Sequence, residues 1–204
     1  MKGTRHNGRS GENGIYNPIH NDRRFNLENS EHIDAERTKL NLYWDCYQGY
    51  STMADRETKD NLSFEEIELA FYEEHYGNYV EKQNERHLKA RHPDRCKEVI
   101  DVRYNKKTCP EESLYQLGTL DEHASAEMLV EIFEEMKKEF EERFGSHVHI
   151  IDWALHMDEA TPHIHERHVF DVTNEYGEIE PKQEEALKQL GFERPYPDKK
   201  PIKA

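Results

Sequence analysis

The chain has 204 residues, 34% of them hydrophobic and 35% charged, and its 28 Lys+Arg against 43 Asp+Glu leave a formal charge of −15. These values allow one domain with a modest core and long solvated faces, and they argue against a protein whose whole surface grips nucleic acid. No apolar run approaches the ~18 residues of a membrane span, the opening Met1-Lys2-Gly3-Thr4-Arg5 is no secretory signal, and Cys46, Cys96 and Cys109 are too scattered for a disulfide scaffold or a Cys-x-x-Cys zinc site.

Residues 1–32 read as irregular, with glycines at 3, 8, 11 and 14 and a Tyr16-Asn17-Pro18 turn. Ser63 followed by Glu66 predicts a capping box and a helix, whose apolar stripe runs through Ile67, Ala70, Phe71, Tyr76, Tyr79 and Val80. It is expected to stop near Arg91, ahead of His92-Pro93, with Gly77 as a weak point. A second helix is predicted over 124–144, with Leu129, Ile132, Phe133, Met136, Phe140 and Phe144 on one face, and Gly145 as a left-handed stop. The period then changes to that of a strand over 146–156, a polar loop, and a second strand over 163–172, together a β-hairpin. A turn at 174–177, a short helix at about 182–190 ending at Gly191, and a Pro/Lys-rich tail read as disordered follow. The expected fold is α+β: an antiparallel sheet presenting the hairpin, covered by the 124–144 helix, with a helical insertion at 61–95. Residues 1–180 would form one catalytic domain, and 181–204 a short helix and tail leading to a further region.

The run His156-Met157-Asp158-Glu159-Ala160-Thr161-Pro162-His163-Ile164-His165 is the most informative segment. His163 and His165 share a face of their strand, and a hairpin partner brings His156 beside them. Three imidazoles converging from two strands predict a divalent-metal site with open positions, suited to Mn²⁺, Zn²⁺, Fe²⁺, Co²⁺ or Ni²⁺. Asp158 and Glu159 lie in the connecting loop, where a carboxylate orients a histidine or accepts a proton.

This segment resembles the third motif of the MobV-type (Mob/Pre) plasmid mobilisation relaxases, within the histidine–hydrophobe–histidine endonucleases. Asn13-Gly14-Ile15-Tyr16 with His20-Asn21-Asp22-Arg23 resembles the family's first motif, and His32 through Asn41 resembles its second. The resemblance covers about 13–45 and 125–170. It implies an enzyme that nicks one strand at a plasmid transfer origin and stays joined to the 5′ phosphate. It further implies a divalent ion, Mn²⁺ or Mg²⁺ foremost, on His156, His163 and His165. His20 would be the nucleophile and Glu159 the group orienting it, with Arg23 binding a phosphate or positioning the same loop.

The chain departs from the family pattern in several places. Its polar start implies an absent or replaced first strand, and Leu42 stands where a tyrosine is expected, with Tyr43 next. Glu166-Arg167-His168-Val169-Phe170 replaces small and apolar residues, and 44–122 match no pattern. Tyr16 and Tyr43 are the alternative nucleophiles, as in replication initiators and transposase-like endonucleases. Between Lys82 and Lys107 nine basic residues face four acidic ones, so Arg86, Lys89, Arg91, Lys106 and Lys107 read either as a solvated helix face or as a DNA-backbone contact. A non-catalytic DNA-binding accessory that keeps the fold is the alternative to an enzyme. The expected partner is single-stranded or supercoiled plasmid DNA, with no membrane, in the cytoplasm.

Overall fold

The two histidine-bearing strands form the middle of a single sheet. A computed structural model describes residues 2–11, 14–27, 30, 32–58 and 60–193. In chain order these give β1 (Gly3–Gly8), the small pair β2 (Ser10–Gly11) and β3 (Gly14–Ile15), the hairpin β4 (Leu42–Asp45) and β5 (Gly49–Thr52), and the one-turn helix α1 (Met53–Arg56). Then come α2 (Phe64–Lys89), α3 (Val99–Arg103), β6 (Glu111–Leu117), α4 (Ala126–Phe144), β7 (Val148–His156), β8 (His163–Thr173), β9 (Ile179–Pro181) and α5 (Gln183–Gln189). The sheet runs β1-β6-β8-β7-β4-β5, antiparallel throughout, with β9 added on β8. Asn13 of the first motif and the tail 194–204 lie outside the described residues.

α2 begins as its sequence dictates: the Ser63 side chain accepts from the Glu66 N–H while Glu66 accepts from the Ser63 N–H. It runs unbroken through Gly77 and buries Ile67, Phe71, Tyr76 and Val80 against Ile151 and Val169, while Ala70 is exposed. The segment read as an insertion is therefore one wall of the core. α4 covers the opposite face of the sheet, packing Leu129 and Phe133 on Trp153, Leu155 and Ile164. Ile132 and Met136, expected on its buried face, are exposed instead and edge a cleft beside β1. Gly145 does end α4, but with φ −61° rather than a left-handed angle. Glycine is needed there because a Cβ would lie 2.4 Å from the Glu141 carbonyl oxygen.

The start of the chain corrects the irregular reading. β1 pairs residue for residue with β6, Gly3 opposite Leu117 through Gly8 opposite Glu112, so the first strand is present as a polar sheet edge. Because α2 and α4 cover both faces, β7 and β8 are buried almost throughout, charged residues included.

One irregularity sets the geometry that follows. The β7–β8 register shifts between Ile150 and Asp152. Val148 and Trp153 both point to the α4 side, whereas Ile151 packs under α2 and Ala154 packs with Tyr43 and Phe64. Strict alternation would separate even from odd positions along the whole strand, so a one-residue bulge has reversed the alternation beyond Ile151. The reversal turns His156 toward the face that carries His163 and His165.

Candidate metal centre and nucleophile loop

His156 ends β7 and His163 opens β8, and the two are directly opposed in the antiparallel register, with Ala154 opposite His165. The ring centroids of His156, His163 and His165 lie 5.0–5.3 Å apart. The turn at 18–23 adds His20, its ring 5.7 Å from both His156 and His165. Ligating atoms of His20, His156 and His165 all lie within 4.8 Å of one another, and so do those of His156, Glu159 and His163. The three rings are neighbours, but their ligating atoms fall into two overlapping triplets that share His156, one completed by His20 and His165 and the other by Glu159 and His163.

Each imidazole of the trio has one nitrogen committed to an acceptor, which leaves the other as a lone pair. His156 Nε2 donates to the Asn21 carbonyl at 2.8 Å, His163 Nδ1 to the Thr161 carbonyl at 2.8 Å, and His165 Nδ1 to Glu112 Oε1 at 3.0 Å. His156 Nδ1, in a side chain that is 0% exposed, has no hydrogen-bond partner among the described residues. A buried ring nitrogen without a donor suits a cation and little else. Three imidazole nitrogens with one carboxylate fit a divalent transition metal such as Mn²⁺.

Arg23 builds the other half of the site. It is buried, with φ +57°. Its Nε and Nη2 donate to the two oxygens of Asp158 at 2.9 and 2.8 Å, and Nη2 also to Glu159 at 2.7 Å. Nη1 donates to the His20 carbonyl at 3.0 Å and faces the His20 ring nitrogen at 3.3 Å. Five directed contacts account for all five N–H groups of a guanidinium. In this arrangement Arg23 ties the His20 turn to the Asp158–Glu159 loop. Glu159 lies 3.7 Å from His20 Nε2, 3.7 Å from His156 Nδ1 and 3.8 Å from His163 Nε2.

Burial foremost, then the Arg23 guanidinium and His165, hold the His20 imidazole down to about 4. Burial also holds His156 well below the usual histidine range, and His163 below it. Burial pushes Glu159 upward, but the hydrogen bond from Arg23 and the His163 charge outweigh it and keep the carboxylate ionised. Because these histidines bind protons more weakly when folded than when unfolded, they contribute stability that is present above the unfolded value of 6.5. That stability is lost as the pH falls through the folded values, about 4 for His20. Thermal midpoints of the metal-free protein are expected to drop steadily between pH 7.5 and 4.5, with a shallower slope in His20→Ala.

Sequence reading missed four supporting residues. Asn41 Nδ2 donates to Asp158, and its Oδ1 accepts from the Met157 N–H, fixing the loop before Glu159. Asp22 accepts from Arg56 and from the Phe64 N–H, tying the His20 turn to the start of α2. Asn21 and Glu112 bond each other at 2.9 Å. Asn21, Asp22 and Asn41 stood inside the motifs quoted above, whereas Glu112 carried no local signal.

The remaining candidates fall elsewhere. Tyr43 is 0% exposed, packed on Phe64 and under the Arg56 guanidinium, and burial pushes its hydroxyl up to about 12; it is a core residue rather than a nucleophile. Tyr16 is exposed and lines a cleft with His20, Asn21 and Glu112. Arg86 is spent on Glu178, at 2.6 and 2.7 Å, and stacks on Tyr176. Lys89 and Arg91 are exposed at the far end of α2, whose 26 residues span ~39 Å from the turn that meets Asp22. Lys106 and Lys107 follow α3, whose Arg103 and Tyr104 reach Glu68 and Glu65 near the start of α2. Arg86, Lys89 and Arg91 thus lie toward the end of α2 remote from the His20 turn.

Against known proteins, the model of the Mob_Pre family, described as plasmid recombination enzyme, matches residues 54–190, about two thirds of the chain. The chain belongs to the Mob_Pre family. That match runs through 54–122, which the motif comparison left unassigned, and it begins after the first two motifs. No curated protein sequence matches the chain. Among solved structures, the Mob_Pre chain is similar to the MobM relaxase domain (MOBV; Mob_Pre) bound to plasmid pMV158 oriT DNA, in a Mn-bound crystal structure at pH 6.8. The two are 20% identical over 93% of this chain and 81% of that one, with a TM-score of 0.52. The pH 4.6 structure of the same domain is 19% identical over 95% and 89%, with a TM-score of 0.49. The first of these gives the Mob_Pre chain its fold. Among the described residues no helix is long and apolar enough to cross a membrane.

Proposed function

We propose that this Mob_Pre chain is a metal-dependent relaxase, which cuts one DNA strand at a plasmid transfer origin and holds the 5′ phosphate on His20. The observation that carries the reading is a neutral, part-exposed imidazole 5.7 Å from two members of a buried histidine trio whose ring centroids lie 5.0–5.3 Å apart. The resemblance to the DNA- and Mn-bound MobM domain agrees with it.

His156, His163 and His165 would hold the ion, with Glu159 beside them; a bound divalent cation polarises the scissile phosphate and offsets charge on its oxygens. His20, neutral at pH 7, attacks phosphorus with its ring lone pair, so a P–N bond forms as the P–O3′ bond breaks and the 3′ oxygen takes a proton from water. The imidazole becomes cationic in this step, and the ionised Glu159 carboxylate 3.7 Å away stabilises that charge. Two open clefts meet at His20. One, of about 650 Å³, is lined by His32, Gln116, Glu159, His163 and His165; the other, of about 890 Å³, by Tyr16, Asn17, Asn21 and Glu112. A single strand threaded from one to the other passes the imidazole.

The test is incubation with Mn²⁺ and transfer-origin DNA, single-stranded or supercoiled. A covalent protein–DNA band is expected, lost with EDTA. If no adduct forms on any origin while Mn²⁺ binds and raises the melting temperature, the chain is instead a non-catalytic DNA-binding accessory.

A further inference from the structure

His165 differs from the other two strand histidines in what holds it. His156 and His163 donate to main-chain carbonyls, but His165 donates to a side-chain carboxylate on a neighbouring strand, Glu112 of β6. Glu112 is two residues from Leu114, which stands opposite His165, and it is itself opposite Arg167. Glu112, His165 and Arg167 share the sheet face that carries the site.

The Glu112 carboxylate is fully engaged. Oε1 takes the His165 Nδ1 proton at 3.0 Å, while Oε2 accepts from Asn21 Nδ2 at 2.9 Å and from Arg167 Nη1 at 3.2 Å. Asn21 follows His20 in the chain, and its own carbonyl accepts from His156. Behind Glu112, buried Arg167 is gripped by Glu68 of α2, and Glu68 by Arg103 of α3. The carboxylate is thus fixed from behind by the helical wall and presents its two oxygens forward, one to a metal-ligand imidazole and one to the nucleophile loop.

We propose that Glu112 is a positioning residue that couples the metal centre to the His20 loop, by orienting the His165 imidazole with one oxygen and anchoring Asn21 with the other. The role rests on the relaxase reading for its effect on catalysis, but its effect on metal binding stands apart from that reading. A carboxylate behind a ligating imidazole fixes its tautomer and makes the ligating nitrogen more basic, and losing such a partner costs ~10–100-fold in metal affinity. The same loss frees Asn21, and small displacements of a nucleophile reduce rate by up to ~10²-fold. Extra metal repairs the first defect and leaves the second.

Two variants decide it. Glu112→Gln removes the charge and puts an amide N–H₂ toward either His165 or the Asn21–Arg167 pair, donor against donor in both cases. Glu112→Asp keeps the charge for Arg167 but is one methylene too short to span His165 and Asn21 together. With DNA absent, Mn²⁺ affinity measured by electron paramagnetic resonance of the free ion is expected to fall ~10–100-fold in Glu112→Gln and by less in Glu112→Asp. At saturating Mn²⁺ both variants are expected to form adduct more slowly than wild type. A folded Glu112→Gln with wild-type Mn²⁺ affinity overturns the proposal. If Glu112→Gln fails to fold, unchanged affinity in Glu112→Asp overturns it equally. Should the wild type bind Mn²⁺ and form no adduct on any DNA, the relaxase reading falls, and the affinity measurements still decide the role of Glu112.

Discussion

His20→Ala is expected to yield no covalent DNA adduct and to slow strand cleavage by at least ~10³-fold, in keeping with removal of a nucleophile elsewhere. Its fold should survive. The His20 side chain is 42% exposed, and Arg23 still reaches the residue-20 carbonyl, so the change in stability should stay within ~1 kcal/mol. Gel shift under denaturing conditions reads the adduct, and thermal unfolding reads the fold. The bond itself adds a second readout: a phosphorus–nitrogen link to histidine is cleaved by mild acid, whereas a phosphotyrosine ester survives it. An acid-stable adduct that persists in His20→Ala and disappears in Tyr16→Phe would move the nucleophile to the exposed tyrosine lining the same cleft.

Arg23→Ala is expected to lower stability by ~3–5 kcal/mol, because it strands a buried charge. Both the Arg23 and Asp158 side chains are 0% exposed, and without the guanidinium the Asp158 carboxylate keeps, among the described residues, only the Asn41 amide as a side-chain partner. Urea unfolding should show a lowered midpoint at unchanged slope. Arg23→Gly separates side chain from backbone. Residue 23 has φ +57°, a conformation that costs an ordinary residue ~1–2 kcal/mol and glycine almost nothing. The glycine variant should therefore unfold at higher urea than the alanine variant. Both should lose adduct formation, because the His20 turn is no longer pinned to Asp158 and Glu159.

The histidine hairpin and both long helices were legible because their signals are local. Ser63 with Glu66, the apolar face of 124–144 ahead of Gly145, and the polar loop ending at Pro162 between aromatic and β-branched runs each act within a few residues. β1 and β6 were not legible, for a shared physical reason. Lys2 through Gly8 is polar and twice interrupted by glycine, and it becomes a strand only because β6 offers a complete edge to pair with. Glu112 looks like any charged residue until β8 places Arg167 opposite it and His165 one register step away. The proximity of His156, His163 and His165 was readable from their spacing, whereas the carboxylates and amides bonded to them come from segments far apart in sequence.

The shifted register near Ile151 makes the meeting of His156 with His163 and His165 depend on an odd or even count of residues along β7. Shorten that stretch by one and Trp153 would trade places with Ala154, driving an indole into the charged layer beneath α2 while His156 swung toward Leu129 and Phe133. Length change in this strand therefore removes chemistry and core packing at one stroke, so among descendants of this chain the interval from Val148 to His156 should tolerate exchange of side chains far more readily than gain or loss of a residue.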